Sequence, residues 1–340
     1  MSGFSSQVPL WLQSRPQITY DQMNEESASM PREHQQKVIR EMFGIDMEDR
    51  IEETEELISH KLERLEEEIE LIEHKEAYET ALFVMCEYVQ SYKFNLAFLR
   101  ADNFNERSAA KRICAYWDRR VQLFGADKAF KPRISTLDFM EEDLDALMLG
   151  GGRFIGVDAG GRGILFNCRK YHDMRLSRVD SMARLYWFIL HQAVFESEHS
   201  ESVQKKGFIQ LAVDGRSSGA ELPTLATFQR MKILISQFYY DAEYAFPVRF
   251  IALHNFVNRW FKMESEHALS FWGRSLRVRL RFYDSTQQES NLHALADCGI
   301  GRSMVPTELG GMLAFNYDEW LKNQVFSDMM EGSPPDKNAP

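Results

Sequence analysis

Long apolar runs are missing from this sequence. The longest, such as Ala81–Cys86 and Leu185–Leu190, fall far short of the ~20 residues that cross a bilayer, so any membrane contact is expected to be peripheral. The opening stretch MSGFSSQVPLWLQSRP lacks both the cationic start and the apolar run of about 7–15 residues that a secretory leader needs. Cysteine is scarce. Cys86, Cys114, Cys168 and Cys298 are far apart and form no Cys-x-x-Cys, which excludes a disulfide framework or a zinc spacing and predicts reduced thiols in a cytoplasmic protein. Basic charge is short as well, with 40 Lys and Arg against 51 Asp and Glu and a net charge of −11. An acidic chain repels phosphate backbones, and with no basic helix or aromatic–basic motif no nucleic-acid partner is expected. The nine histidines include no His-Glu-x-x-His, and Gly150–Gly152 and Gly160–Gly163 precede a strand with no Gly-Lys-Ser/Thr. The expectation is therefore no metal and no cofactor.

What is present is a chain of 340 residues, 44% hydrophobic and 12% aromatic, enough for one large domain with a helical attachment. Residues 1–45 show no sustained periodicity and read as a partly ordered lead-in. Between Asp46 and Glu76 stand fourteen carboxylates against four Lys and Arg. Ile51, Thr54, Ile58, Leu62, Leu65, Ile69 and Ile72 recur there at alternating three and four, the stripe of an acidic helix over 46–76. That stripe serves either a docking partner or its own domain. Residues 77–131 read as a helical lobe. Ala81–Tyr92 is an apolar helical stretch, and a further helix runs from Glu106 to Phe124, capped by Asn105 and ended by Gly125, with Ala110, Ile113, Trp117, Val121 and Phe124 on one face.

From about Gly150, β-like runs alternate with helical ones, the pattern of parallel strands joined by crossover helices. The predicted strands are Gly163–Asn167, Phe208–Val213, Arg249–Asn255 and Leu276–Tyr283, with helices near Asp180, Pro223, Phe256 to Trp272, and Ser290. The second and third strands are apolar on both faces, as strands covered on both sides must be. The fold class is α/β: a helical N-terminal lobe followed, over 132–320, by a mainly parallel sheet flanked by helices, then a tail at 321–340.

Five motifs follow one another: Phe98-Leu99-Arg100-Ala101 with Phe104; Asp158-Ala159-Gly160-Gly161-Arg162-Gly163; Val213-Asp214-Gly215; Phe246-Pro247-Val248-Arg249 leading into Phe250–Asn255; and Val305-Pro306-Thr307-Glu308-Leu309-Gly310-Gly311. In this order, over about two thirds of the chain, they resemble the CRAL-TRIO lipid-binding family with its N-terminal helical lobe. The resemblance implies a hydrophobic ligand cavity floored by the sheet and closed by a gate helix between Asn255 and Leu276, with Phe250, Ala252, His254, Phe256, Trp260, Phe261, Phe271 and Trp272 as lining and gate residues. It also implies that the protein is not an enzyme and that it exchanges one lipid-like molecule at a transient membrane surface. Enclosure has a physical reason: at ~0.8 kcal/mol per methylene, a tail of ~16 methylenes left in water costs roughly 13 kcal/mol.

Family members that bind phosphatidylinositol carry basic residues after Phe-Leu-Arg-Ala, a Glu before the strand Arg, and a Thr/Lys pair after the gate. Here those positions hold Asp102 and Asn103, Val248, and Arg274 with Arg277, so only Arg249 and Arg277 carry over as headgroup contacts. An acid at position 102 opposes an anionic headgroup and shifts the expected ligand towards a less charged lipid, a sterol-like molecule or an isoprenoid. Two other classes stay open. Gly215-Arg216-Ser217-Ser218-Gly219 matches the hydrolase pattern Gly-x-Ser-x-Gly, with His254 or His293 as base and Asp284 as acid, although Ala220–Pro223 intervene before a helix can start. The acidic helix 46–76 would suit an interaction scaffold with a protein partner.

Overall fold

The computed structural model describes residues 18–45, 51–168, 179–213, 244–257, 269 and 274–332. The acidic stretch forms the helix Glu55–Glu70, started by Thr54, whose hydroxyl accepts from the Leu57 amide at 3.1 Å and so satisfies one of the amides a helix start leaves without an internal partner. Its stripe buries Ile58, Leu65 and Ile69 against the helix Glu106–Phe124. Of the two uses the sequence left open for that stripe, the fold takes the internal one. Asn105 starts Glu106–Phe124 by accepting from the Ser108 amide at 2.9 Å. Ala81–Tyr92 is not one helix. It breaks at Met85 (φ −141°, ψ 51°), and Ser91 starts a fresh helix, Tyr92–Ala101, by accepting from the Phe94 amide. The apolar spacing runs on across the break and hides this cap.

Two helices lie among the described residues of the first 45: Tyr20–Ala28, opened by a capping box of Thr19 and Gln22, and Arg32–Phe43, closed by left-handed Gly44. Among the described residues the sheet has five strands in sequence order: β1 (Gly152–Val157), β2 (Gly163–Cys168), β3 (Phe208–Val213), β4 (Phe250–Val257) and β5 (Leu280–Asp284). β1 pairs antiparallel with β2, and the other three junctions are parallel. The predicted strand Leu276–Tyr283 is shorter than read, because Arg274–Arg277 is a helical turn. There the Val278 and Arg279 amides bond to Arg274 and Leu276 carbonyls. The Arg/apolar alternation of 277–282 carries a strand period across a helical turn.

Two hydrophobic clusters sandwich the sheet. On the closed face Ile164, Phe166, Ile209, Leu211, Ala252 and Phe256 pack with Val38 and Met42 of the second helix and with Leu292 and Leu295 of the helix Gln288–Asp297. On the lobe face Leu165, Phe208, Phe250, Leu253 and Leu280 join a core continuous with the helical lobe and with Trp187 and Phe188 of the helix Val179–His191.

The described motifs are the joints of this assembly. Arg162, with no solvent exposure, donates from Nε to Asp158 at 2.7 Å and from its terminal nitrogens to the Glu41, Met42 and Cys298 carbonyls. It thereby adds a donor at two helix ends, where carbonyls lack the amide of a next turn. Arg100 forks onto Glu53 at 2.9 and 2.6 Å and donates to Gln204 at 2.7 Å, tying the lobe to the sheet domain. Phe246 is wholly buried, edge-on to Trp187 at 4.8 Å. At Gly311 a Cβ would stand 1.9 Å from the Val305 carbonyl oxygen, so the closing turn admits only glycine.

Candidate functional site

The lobe face of the sheet is where the strands are neither purely apolar nor fully covered. Register places Leu165, Gln210, Leu253 and Leu280 in one row and, nearer the C-terminal strand ends, Asn167, Ala212, Asn255 and Phe282 in the next. Each of β2, β3 and β4 thus sets one amide among apolar side chains. Asn167 and Gln210 are buried, and Asn167 Oδ1 accepts from the Tyr186 hydroxyl at 2.9 Å. Buried Asn255 Nδ2 has no hydrogen-bond partner among the described residues. Ala212 lies on the central strand yet is only partly buried, while its neighbours Leu211 and Val213, facing the other way, are buried. In open α/β sheets the crevice beyond the carboxyl ends of the strands is the usual place for a ligand. The arrangement offers an apolar bed of Leu253, Leu280 and Phe282 with hydrogen-bonding amides at its margin, which suits an amphiphile.

The residues expected to line one cavity are divided between the two faces. Phe250 faces the lobe, but Ala252, His254 and Phe256 face the closed side. A bulge causes this: Phe208 pairs with Phe250, whereas Ile209 pairs with Ala252, so Ile251 is extra and the alternation shifts there. His254 is wholly buried, its Nδ1 2.8 Å from the Tyr283 hydroxyl, and Phe256 stacks on the Tyr283 ring at 4.9 Å. These three are closed-face core, which corrects their expected role as cavity lining. Burial first, then the charges of Arg162 and Arg281, lower the His254 pKa from 6.5 to about 3. Trp260, Phe261, Phe271 and Trp272 lie outside the described residues, whereas Leu269 of the same segment is buried in the lobe-face cluster.

The two arginines expected at a headgroup are both engaged. Arg277 forks onto Glu26 at 2.8 and 2.6 Å, and that hydrogen bond is the largest cause holding the Glu26 carboxyl below its usual range. Arg249 donates to Asn103 Oδ1 at 2.8 Å and to the Lys205 carbonyl at 2.7 Å. Asp102 is not a bare negative charge, since Arg112 forks onto it at 2.7 and 2.8 Å. Its opposition to an anionic headgroup is cancelled locally, which removes the electrostatic argument against one.

Ser217 lies outside the described residues. His254, one of its two expected bases, is sealed on the closed face and stays neutral through the physiological range, so it is not available to a nucleophile exposed to substrate. The sequence reading missed Asn167, Gln210, Ala212 and Phe282. A usable signal was present: one amide inside each of three otherwise apolar strands, where a polar group needs a partner.

No helix among the described residues is long and apolar enough to cross a membrane. No protein-family model matches the chain, and no curated protein matches it. Among solved structures, the crystal structure of Sfh5 matches at 10% identity with a TM-score of 0.44, covering 82% of this chain and 100% of that one, a likeness too loose to carry an argument about ligand or family.

Proposed function

We propose that the protein binds one hydrophobic, lipid-like molecule on the lobe face of its sheet and exchanges it at a membrane surface to which it attaches peripherally from the cytoplasm. The observation that carries this reading is the row Asn167, Ala212, Asn255 and Phe282: partly open at the central strand, apolar underneath, and provided with a buried amide that has no protein partner among the described residues. The resemblance of the five ordered motifs to the CRAL-TRIO family supports the same assignment. Gate residues Trp260, Phe261, Phe271 and Trp272 belong to this proposal. The amides and the neutralised Asp102 widen the ligand class from sterol-like and isoprenoid molecules to lipids with a polar headgroup.

Native mass spectrometry of the purified chain, followed by organic extraction, tests the reading. One bound hydrophobic molecule per chain is the expected result. A chain that is empty and takes up no labelled phospholipid, sterol or isoprenoid would remove the proposal.

A further inference from the structure

One side of the helical lobe carries an apolar strip standing in water. The helix Glu76–Val84 turns Ala81 fully inward but leaves Phe83 92% and Val84 55% exposed, just before the break at Met85. Further back on the same helix, Ala77 and Thr80 line a shallow groove with Val121, Ala126 and Phe130, and its rim holds Glu76, Asp118 and Gln122. Residues three and four apart share a helix face, so Ala77, Thr80, Phe83 and Val84 join groove and tip into one strip.

The rim is acidic from both helices. Asp118 makes no hydrogen bond or ion pair among the described residues, and burial first and the Glu76 charge second raise its pKa. Glu79 and Glu87 are exposed nearby. Lys75, the adjacent base, is buried and donates inward to the Ile69 and Glu70 carbonyls.

We propose that this strip docks a cationic amphipathic helix of a partner protein, its apolar stripe on Phe83, Val84, Val121 and Phe130 and its Lys or Arg side chains on Glu76 and Asp118. Charge selects this occupant. A second copy of the chain would set the same carboxylates against themselves across a two-fold axis, and an anionic bilayer surface would be repelled by them. A groove between two helices, with apolar floor and charged rim, is the shape that receives a helix bearing anchors at successive turns.

The test uses the full chain and a fluorescein-labelled Leu/Lys peptide with its leucines at helical spacing, beside a scrambled peptide of equal composition and a Leu/Glu counterpart. Only the ordered Leu/Lys peptide is expected to bind saturably, and Phe83→Ser should weaken it at least tenfold without changing the melting temperature, since that ring already stands in water. The double charge reversal Glu76→Lys with Asp118→Lys should lose the Leu/Lys peptide and gain the Leu/Glu one, a gain that misfolding cannot mimic. Equal binding of the scrambled peptide, unchanged affinity in Phe83→Ser, or no gain on charge reversal would each overturn the proposal. So would Phe83-dependent dimerisation in sedimentation, or Phe83-dependent flotation with phosphatidylcholine vesicles, either of which assigns the strip to another occupant.

Discussion

On β3, Leu211 and Val213 are sealed in a cluster with Leu292 and Leu295, while Ala212 between them, facing the lobe, is only partly covered. The same contrast repeats on β4, where Phe256 is wholly buried against the Tyr283 ring and neighbouring Asn255 has an amide nitrogen without a partner among the described residues. Alternate residues of the same strands therefore build two surfaces of different character. On the closed face Arg162 pairs with Asp158, and His254 Nδ1 meets the Tyr283 hydroxyl while its Nε2 has no partner among the described residues. On the lobe face the Asn255 side-chain nitrogen, near the C-terminal end of β4, has no partner among the described residues. A buried polar group without a partner costs free energy; at Asn255, in register with the partly covered Ala212, a ligand can supply that partner, whereas His254 Nε2 is sealed from one.

The comparison breaks first, and hardest, at Arg162. Arg162→Ala leaves the Asp158 carboxylate buried without its charged partner and removes the guanidinium donations to the Met42 and Cys298 carbonyls, so a loss of about 3–5 kcal/mol is expected in urea denaturation. The double variant with Asp158→Ala should lose less than the two single losses added. Next comes Leu211→Ala, a closed-face truncation expected to cost about 2–5 kcal/mol by the same assay, with ligand uptake kept by the fraction that folds.

Acid sharpens the contrast. Folded His254 stays neutral down to about pH 3, whereas in the unfolded chain an imidazole takes up a proton near 6.5. Unfolding therefore binds a proton between those values. The contribution is fully present above pH 6.5 and is lost as pH falls towards 3, by up to about 1.4 kcal/mol per pH unit. His254→Gln should flatten that acid limb in pH-dependent thermal melts. The smallest effect on stability belongs to the lobe face: Asn255→Ala should change it by less than about 1 kcal/mol, yet lower uptake of a labelled lipid.

Much of the architecture was legible because it depends on local signals. Asn105 and Gly125 bound their helix as read, and β3 spans Phe208–Val213 as predicted. β1 escaped because its glycine-bearing run, Gly152-Arg153-Phe154-Ile155-Gly156-Val157, has neither clean alternation nor a continuous apolar core. The candidate site was less legible for one reason above all. Phe250-Ile251-Ala252-Leu253 is apolar throughout, so nothing in it marks the extra residue at Ile251 that decides which side chains face which way. A shift of one residue exchanges the faces of a strand, and it carried Ala252, His254 and Phe256 to the closed side. The motifs carry the family resemblance, and among their described residues Arg162 and Gly311 are joints of the fold.

The account rests on the lobe face holding a ligand, and filling that face tests it most directly. Native mass spectrometry of Ala212→Trp beside the unaltered chain compares a blocked bed with an open one. The expected result is one hydrophobic molecule per chain in the unaltered protein and none in Ala212→Trp, at a melting temperature changed by only a few degrees. A molecule retained by folded Ala212→Trp, or an unaltered chain that never carries one, would contradict it.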